Sequence, residues 1–320
     1  MKIVFFGTSG FALPALAAVD ASMHQLVAVV TTADRPSGRG RKMTASEGKE
    51  AGLRLGVPVL QPEKLNESFR NELKALSADI AVVASYGKII PAACIALFPH
   101  GMINIHPSLL PKYRGPSPVQ QPILNGDAVT GVTIIKLTAA MDAGPIMGQT
   151  EVKVGPNETA GQLHDRLAAL GAEMMLAALA DVAAGRAVYR EQDHAAATFC
   201  GKITKADGLI RWDLPADDLV RLVRAMTPWP GAFSFSGRDG RRIIIARAEP
   251  VRGSGAAPGT VIEFSEKAGL VVACGGGALR VASLAPAGSR KMTSEEYARG
   301  ARMVAGDRLV DVPPAGGATA

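Results

Sequence analysis

Lys2-Ile3-Val4-Phe5-Phe6-Gly7-Thr8-Ser9-Gly10 is the stretch on which the fold turns. Residues 3–6 are a continuous rather than alternating apolar run, the pattern of a strand buried on both faces. Such a strand belongs in a parallel sheet covered by helices. The Gly-bearing turn 7–10 hands over to a helix-like segment at 11–21. The strand theme returns at 25–32, at Ala78-Asp79-Ile80-Ala81-Val82-Val83-Ala84 after a helical stretch over 66–76, and at 102–106 and 130–138. An Ala/Leu-rich amphipathic helix over 159–184 closes this region. The expected first domain is therefore α/β with a mostly parallel sheet, over 1–188.

The second half changes character. Residues 189–208 are polar and read as a linker. A short amphipathic helix is expected at 215–226, with Leu219, Leu222 and Val223 on one face. Short strands follow at 232–236, 241–250, 259–264, 269–274 and 278–285, separated by turns such as Ser236-Gly237-Arg238-Asp239-Gly240. That spacing predicts a small antiparallel barrel or sandwich over 209–312. The Pro/Gly/Ala tail, 313–320, is expected to be disordered.

The 320 residues suit two domains, and 48% hydrophobic against 20% charged residues suits real cores. Three scattered cysteines, Cys94, Cys200 and Cys274, give neither a disulfide framework nor a cysteine zinc site. No apolar run reaches the ~18 residues of a membrane span. The N-terminal apolar run stops at Gly7, short of the ~7–15 residues of a signal-peptide core, so the expected compartment is the cytoplasm. The net charge of +6 permits a polyanionic partner without requiring one. It is uneven: residues 1–188 hold 17 Lys and Arg against 15 Asp and Glu, residues 189–320 hold 18 against 14. The densest cluster is Arg35-Pro36-Ser37-Gly38-Arg39-Gly40-Arg41-Lys42, expected as a mobile basic loop between a strand and the next helix.

The first turn lies where dinucleotide-binding folds place their phosphate-binding glycines, but it is not GxGxxG, and no acid follows the second strand in the ribose-binding way. GxxxxGK[ST] is absent from the sequence. The best constellation is Asn104-Ile105-His106-Pro107-Ser108-Leu109-Leu110-Pro111. Asn104 and His106 alternate on one strand, so both project from one face at its C-terminal end. A carboxamide beside an imidazole is a plausible oxyanion clamp, one donor of fixed charge and one of adjustable charge. Asp142, in the small-residue loop Ala139-Ala140-Met141-Asp142-Ala143-Gly144, is placed to orient the imidazole. No nucleophilic Ser or Cys is evidently paired with the His, which favours direct transfer to an external nucleophile. Ser108 is the exception to watch, though it stands too near His106 in sequence for triad geometry. His24, His100, His164 and His194 lack metal-ligand spacing and read as surface or capping residues, and no metal is expected.

The Asn-x-His-Pro-Ser-Leu-Leu-Pro run with Asp142 downstream resembles the folate-dependent formyltransferases. The resemblance extends over about residues 2–312. It includes Lys2 to Thr8, Asp34 to Gly40, Tyr113-Arg114-Gly115-Pro116-Ser117-Pro118, Gly131-Val132-Thr133-Ile134, Pro228-Trp229-Pro230-Gly231 and Leu284-Ala285-Pro286-Ala287-Gly288. It implies a Rossmann-like domain followed by an OB-like β-barrel, with 10-formyltetrahydrofolate as formyl donor and initiator methionyl-tRNA as acceptor. It implies Asn104, His106 and Asp142 as the catalytic centre, and Ser108, Leu109, Leu110 and Pro111 with Tyr86, Gly87 and Ile89 around the folate. Arg35, Arg39, Arg41 and Lys42, with Arg241 and Arg242 of the barrel, are the expected tRNA contacts. Ser9 and Gly10 depart from the family, which commonly has Pro and then an acid there. Other readings that keep part of this set are a formyltransferase for a small amine such as an amino-sugar nucleotide, a non-catalytic RNA-binding module, and a NAD-dependent oxidoreductase, the last disfavoured by the missing fingerprint.

Overall fold

The computed structural model describes residues 1–37, 42–253, 255–265, 267–301 and 303–313. Strands β1 (Lys2–Gly7), β2 (Gln25–Val30), β3 (Arg35–Ser37), β4 (Lys42–Thr44), β5 (Val59–Leu60), β6 (Ile80–Ala84), β7 (Met102–His106), β8 (Val129–Lys136) and β9 (Ile146–Lys153) make up the first half. Helices α1 (Leu13–Asp20), α2 (Glu47–Arg54), α3 (Glu67–Ala75), α4 (Ala92–Ile95), α5 (Gln120–Asn125) and α6 (Ala160–Ala183) accompany them.

One seven-stranded sheet runs β5-β2-β1-β6-β7-β8-β9. Its first five strands pair in parallel, and β8 and β9 are antiparallel to their neighbours. The Rossmann-like, mostly parallel sheet is therefore as expected, with an antiparallel margin added. β9 has no counterpart among the expected strands. Its sequence, IMGQTEVK, is mostly polar after its first two residues and half exposed, as an edge strand is, so it lacks the continuous apolar signal of its neighbours.

The central strands are dry. Ile3, Val4, Phe5, Phe6 and Ile80 to Val82 are fully buried. Each large side chain so buried contributes about 1.5–3 kcal/mol relative to exposure. α2 and α3 begin where cap residues dictate: the Ser46 hydroxyl accepts from Lys49 N, and Asn66 Oδ1 accepts from Phe69 N. The first turn closes tightly on α2, because Gly48 N donates to Thr8 O at 3.1 Å.

By packing, the first compact unit comprises Met1–Val119, Val129–Lys153 and His164–Gly201, and the second comprises Gln120–Ala128, Val154–Leu163 and Lys202–Ala320. The expected division at 188 thus becomes an interleaved one. The expected linker 189–208 is also more than a linker, since Gln192 and Cys200 are buried and Arg190 bridges to Ile146 at the start of β9.

The second unit carries α7 (Ala216–Ala225) and strands β10 (Ala232–Ser236), β11 (Arg242–Val251), β12 (Val261–Ser265), β13 (Gly269–Ala273), β14 (Ala278–Pro286) and β15 (Met292–Thr293). Helix α8 (Ser294–Gly300) and β16 (Leu309–Val310) complete it. The antiparallel order is β12-β13-β14-β11-β10-β16, with β15 on β14. An isolated bridge from Thr260 to Arg308 brings the approach to β16 back beside β12, curling the sheet toward the expected barrel. Residues 314–320 of the tail lie outside the described residues.

Candidate active site

β7 ends at the C-terminal margin of the parallel strands, and its last residues carry the polar pair. Asn104 and His106 are two apart in extended chain and share a face. Both are buried, Asn104 at 9% and His106 at 4% exposure. His106 Nε2 lies 3.0 Å from Tyr113 O. A carbonyl only accepts, so Nε2 carries the hydrogen and Nδ1 is the ring atom left for chemistry. Nδ1 stands 3.7 Å from Asp142 Oδ1, an ion-pair separation rather than a hydrogen bond. The other Asp142 oxygen, Oδ2, accepts from Gly115 N at 2.8 Å. The Asn104 carboxamide has no hydrogen-bond partner among the described residues. Its polar atoms are not among the fully buried unpaired ones, so the amide stays open to a bound group at the strand end.

The loop after β7 is built to hold this geometry. Ser108 is fully buried and donates to Lys112 O at 2.6 Å, so its hydroxyl is spent on the loop. Thr133 of β8 donates to Ser108 O and accepts from Leu110 N. Leu110 packs with Ile135 and Ile146, while Leu109 lies half-buried over Gly131. Pro111 is half-buried, and its carbonyl accepts from Thr198 N. Gly115 and Gly144 are obligatory: Gly115 has φ 120°, and a Cβ on either would strike a carbonyl oxygen, of Cys200 and of Lys136 respectively.

The expected pterin neighbours divide. Tyr86 is core: its ring stands edge-on to Phe6 at 5.2 Å and its exposure is 2%. Burial pushes its hydroxyl up to about 12. Only its backbone reaches the first turn, where Tyr86 O accepts from Thr8 Oγ1. Gly87 and Ile89 are exposed, Ile89 strongly so. In the departing first loop, a Cβ at Gly10 would lie 3.2 Å from a Glu47 carboxylate oxygen. An acid from α2 thus stands against the position.

The basic segment is a ribbon at its base rather than a loop throughout. β3 and β4 pair antiparallel, Arg35 opposite Thr44 and Ser37 opposite Lys42. Arg35 is exposed. Arg39 and Arg41 lie outside the described residues, and of Lys42 only the backbone is described. Asp34 fastens the base, accepting from Lys49 Nζ and Gln61 Nε2, both at 2.7 Å. Those two hydrogen bonds hold its carboxyl below the ordinary aspartate range. In the second unit Arg241 is exposed, whereas Arg242 lies 3.8 Å over the Phe233 ring. Burial lowers the Arg242 pKa. Arg242 is thus partly a packing residue.

Gln192 and Arg114 drew no attention as site residues in the sequence, yet they brace the site. Arg114 appears only inside a motif run, and Gln192 stands in a polar stretch with no local signal. Cys200, against Arg114 O and Tyr113 O, is an inert buried thiol whose pKa burial raises. Among the described residues no group of His, Cys, Asp and Glu could hold a metal ion, and no helix is long and apolar enough to cross a membrane.

A Rossmann-like sheet thus brings Asn104 and His106 at one strand end beside Asp142 of a nearby loop, a polar cluster suited to group transfer. Residues 1–179 match the formyl transferase family and residues 202–302 match the formyl transferase C-terminal domain; the chain belongs to this family. It is 46% identical over 311 residues to methionyl-tRNA formyltransferase of Roseiflexus castenholzii, covering 97% of this chain and 99% of that protein. It is 42% identical over 310 residues to the protein of the same name from Thiobacillus denitrificans, covering 97% of this chain and 99% of the relative. The fold is shared with an N-formyltransferase from Helicobacter canadensis in complex with folinic acid and dTDP-3-aminofucose, at TM-score 0.66 and 17% identity over 91% of this chain and 99% of that one. HypX from Aquifex aeolicus, in complex with tetrahydrofolic acid, aligns at TM-score 0.61 and 17% identity over 93% of this chain and 46% of that one.

Proposed function

We propose that this chain transfers the formyl group of 10-formyltetrahydrofolate to the α-amino group of initiator methionyl-tRNA. The folate supplies an activated formyl carbon. The α-amine of an aminoacyl ester is largely neutral near pH 7–8 and attacks without strong activation. A nitrogen–carbon bond forms to the amine, the bond to the folate nitrogen breaks, and the amine proton ends on the departing folate. The observation that carries the reading is the unspent Asn104 carboxamide beside His106. Asn104 donates to the developing oxyanion. With Nε2 committed to Tyr113, His106 works through Nδ1, and the pair of Nδ1 and Asp142 Oδ1 takes up and passes on the amine proton.

Leu109, Leu110, Pro111, Gly87 and Ile89 are the proposed folate surroundings, Ser108 acting by shaping the loop and Tyr86 through its backbone. Arg35, Arg39, Arg41, Lys42 and Arg241, with Arg242 in a lesser part, are the proposed phosphate contacts of the tRNA. Two features support tRNA over a small amine: likeness along nearly the whole chain to proteins named for that acceptor, and a second unit carrying exposed arginines. With tRNA as acceptor, the cytoplasm is the proposed compartment. The test is transfer of labelled formyl from 10-formyltetrahydrofolate to methionyl-tRNA, with unacylated tRNA and an amino-sugar nucleotide as controls. Labelling of the sugar nucleotide alone would overturn the reading.

A further inference from the structure

We infer that Gln192 is a positioning residue for formyl transfer, acting through Asp142. The inference rests on the proposed catalytic set. Asp142 sits at φ 50°, a left-handed backbone that a non-glycine residue holds only when its surroundings impose it. Gln192 imposes it from outside the loop. Its Nε2 donates to Asp142 O at 2.8 Å and to Gly144 O at 2.7 Å, so both hydrogens of one amide clasp the two carbonyls that bracket the bend.

The amide is itself held. Arg114 donates to Gln192 Oε1 from Nε at 3.2 Å and from Nη2 at 2.7 Å, and Arg114 Nη2 lies 2.9 Å from His194 Nδ1. Both Gln192 and Arg114 are 5% exposed. A guanidinium fixed on the oxygen determines which end of the amide faces the loop, so the donors point at Asp142.

The same segment serves the other side of His106. Thr198 O accepts from Arg114 N, and Thr198 Oγ1 accepts from Tyr113 N, the residue whose carbonyl holds His106 Nε2. Residues 190–200 are therefore a strap that sets both partners of the imidazole, one through Thr198 and one through Gln192. Loosening the Asp142 side should leave substrates bound and the reacting groups misaligned.

Gln192→Glu tests this, because it keeps the side-chain length and the Arg114 contact but replaces the clasping donor with an acceptor. We expect kcat to fall by about 10²-fold, the cost of misplacing a reacting group by about 1 Å, with KM for both substrates nearly unchanged. Placed on Asp142→Asn, the second change should add almost nothing, since both act through one group. The imidazole nitrogen NMR signals of His106 should shift in the Gln192 variant, a readout that mere loss of stability would not move. Gln192→Met, which removes the donor without adding charge, carries the same expectation should the glutamate variant fail to fold. Normal turnover in either folded variant beside a disabled Asp142→Asn would overturn the clasp and leave the catalytic reading standing. Full additivity of the two losses would also overturn it. Normal turnover in Asp142→Asn would instead overturn the catalytic reading, and the clasp with it.

Discussion

The two units bury polarity in different ways. Among the described residues, the first unit buries Asn104, His106, Arg114 and Gln192, while the polar residues buried in the second are Ser234, Ser236 and Ser294. In the second unit the buried hydroxyl at Ser234 is seam material: Trp212 Nε1 donates to it and it donates to Val310 O, both at 2.9 Å. Most of its arginines are exposed; Arg242 lies on an aromatic face, and Arg221 and Arg224 are half-buried, Arg224 donating to Gly155 O and Pro156 O. The first unit carries ionisable groups inward to one strand end and leaves a carboxamide free there. Burial of ionisable groups is expensive, so a buried cluster of them points to a candidate site; exposed charge costs little and is free to face a polyanion under the proposed function.

The sharpest way to break this contrast is to empty the strand end. Asn104→Ala is expected to lower kcat by about 10²–10³-fold through loss of an oxyanion donor, and His106→Ala by about 10²–10⁴-fold through loss of the proton-carrying imidazole. Steady-state assays check it, and near-normal turnover in a purified variant would remove the assignment. Next, Gly144→Ala drives a methyl into Lys136 O. It should cost about 1–3 kcal/mol of stability by overpacking, read as a lowered midpoint in urea. In the second unit, Arg242→Ala should cost about 1 kcal/mol through loss of the Phe233 stack. Arg241→Ala should leave stability unchanged and reduce the salt slope of tRNA binding by about 1. If the two arginines behave alike in both measurements, the division between packing and binding cations fails.

The smallest effect concerns the ribbon base. The Asp34 carboxyl titrates below its ordinary range, so its anchoring is present above the unfolded pKa and is lost as pH falls through the lowered value. A carboxyl-carbon NMR titration of the protein with Lys49→Met should show the Asp34 midpoint moving up. An unmoved midpoint would mean that Lys49 does not hold it.

The contrast also explains what could be read without coordinates. β1, β6 and β7 are legible because burial on both faces leaves continuous apolar runs, and Asn104 and His106 because two residues on one strand need only local periodicity. β9 is not, because an edge strand looks like its polar surroundings. Tyr86 shows a second limit: an apolar run after a strand does not say which residues turn inward, and its ring joins the core with Phe6. Gln192 shows a third. Its partner lies 50 residues away and its holder 78, so nothing in its neighbourhood announces the contact.

That separation has a bearing on how the enzyme matures. The strap follows α6, so Asp142 leaves the ribosome long before the residue that clasps it. All seven strands of the first sheet precede the strap in the chain. On the proposed clasp, Asp142 is held in its bend only once residues 190–200 are present and docked.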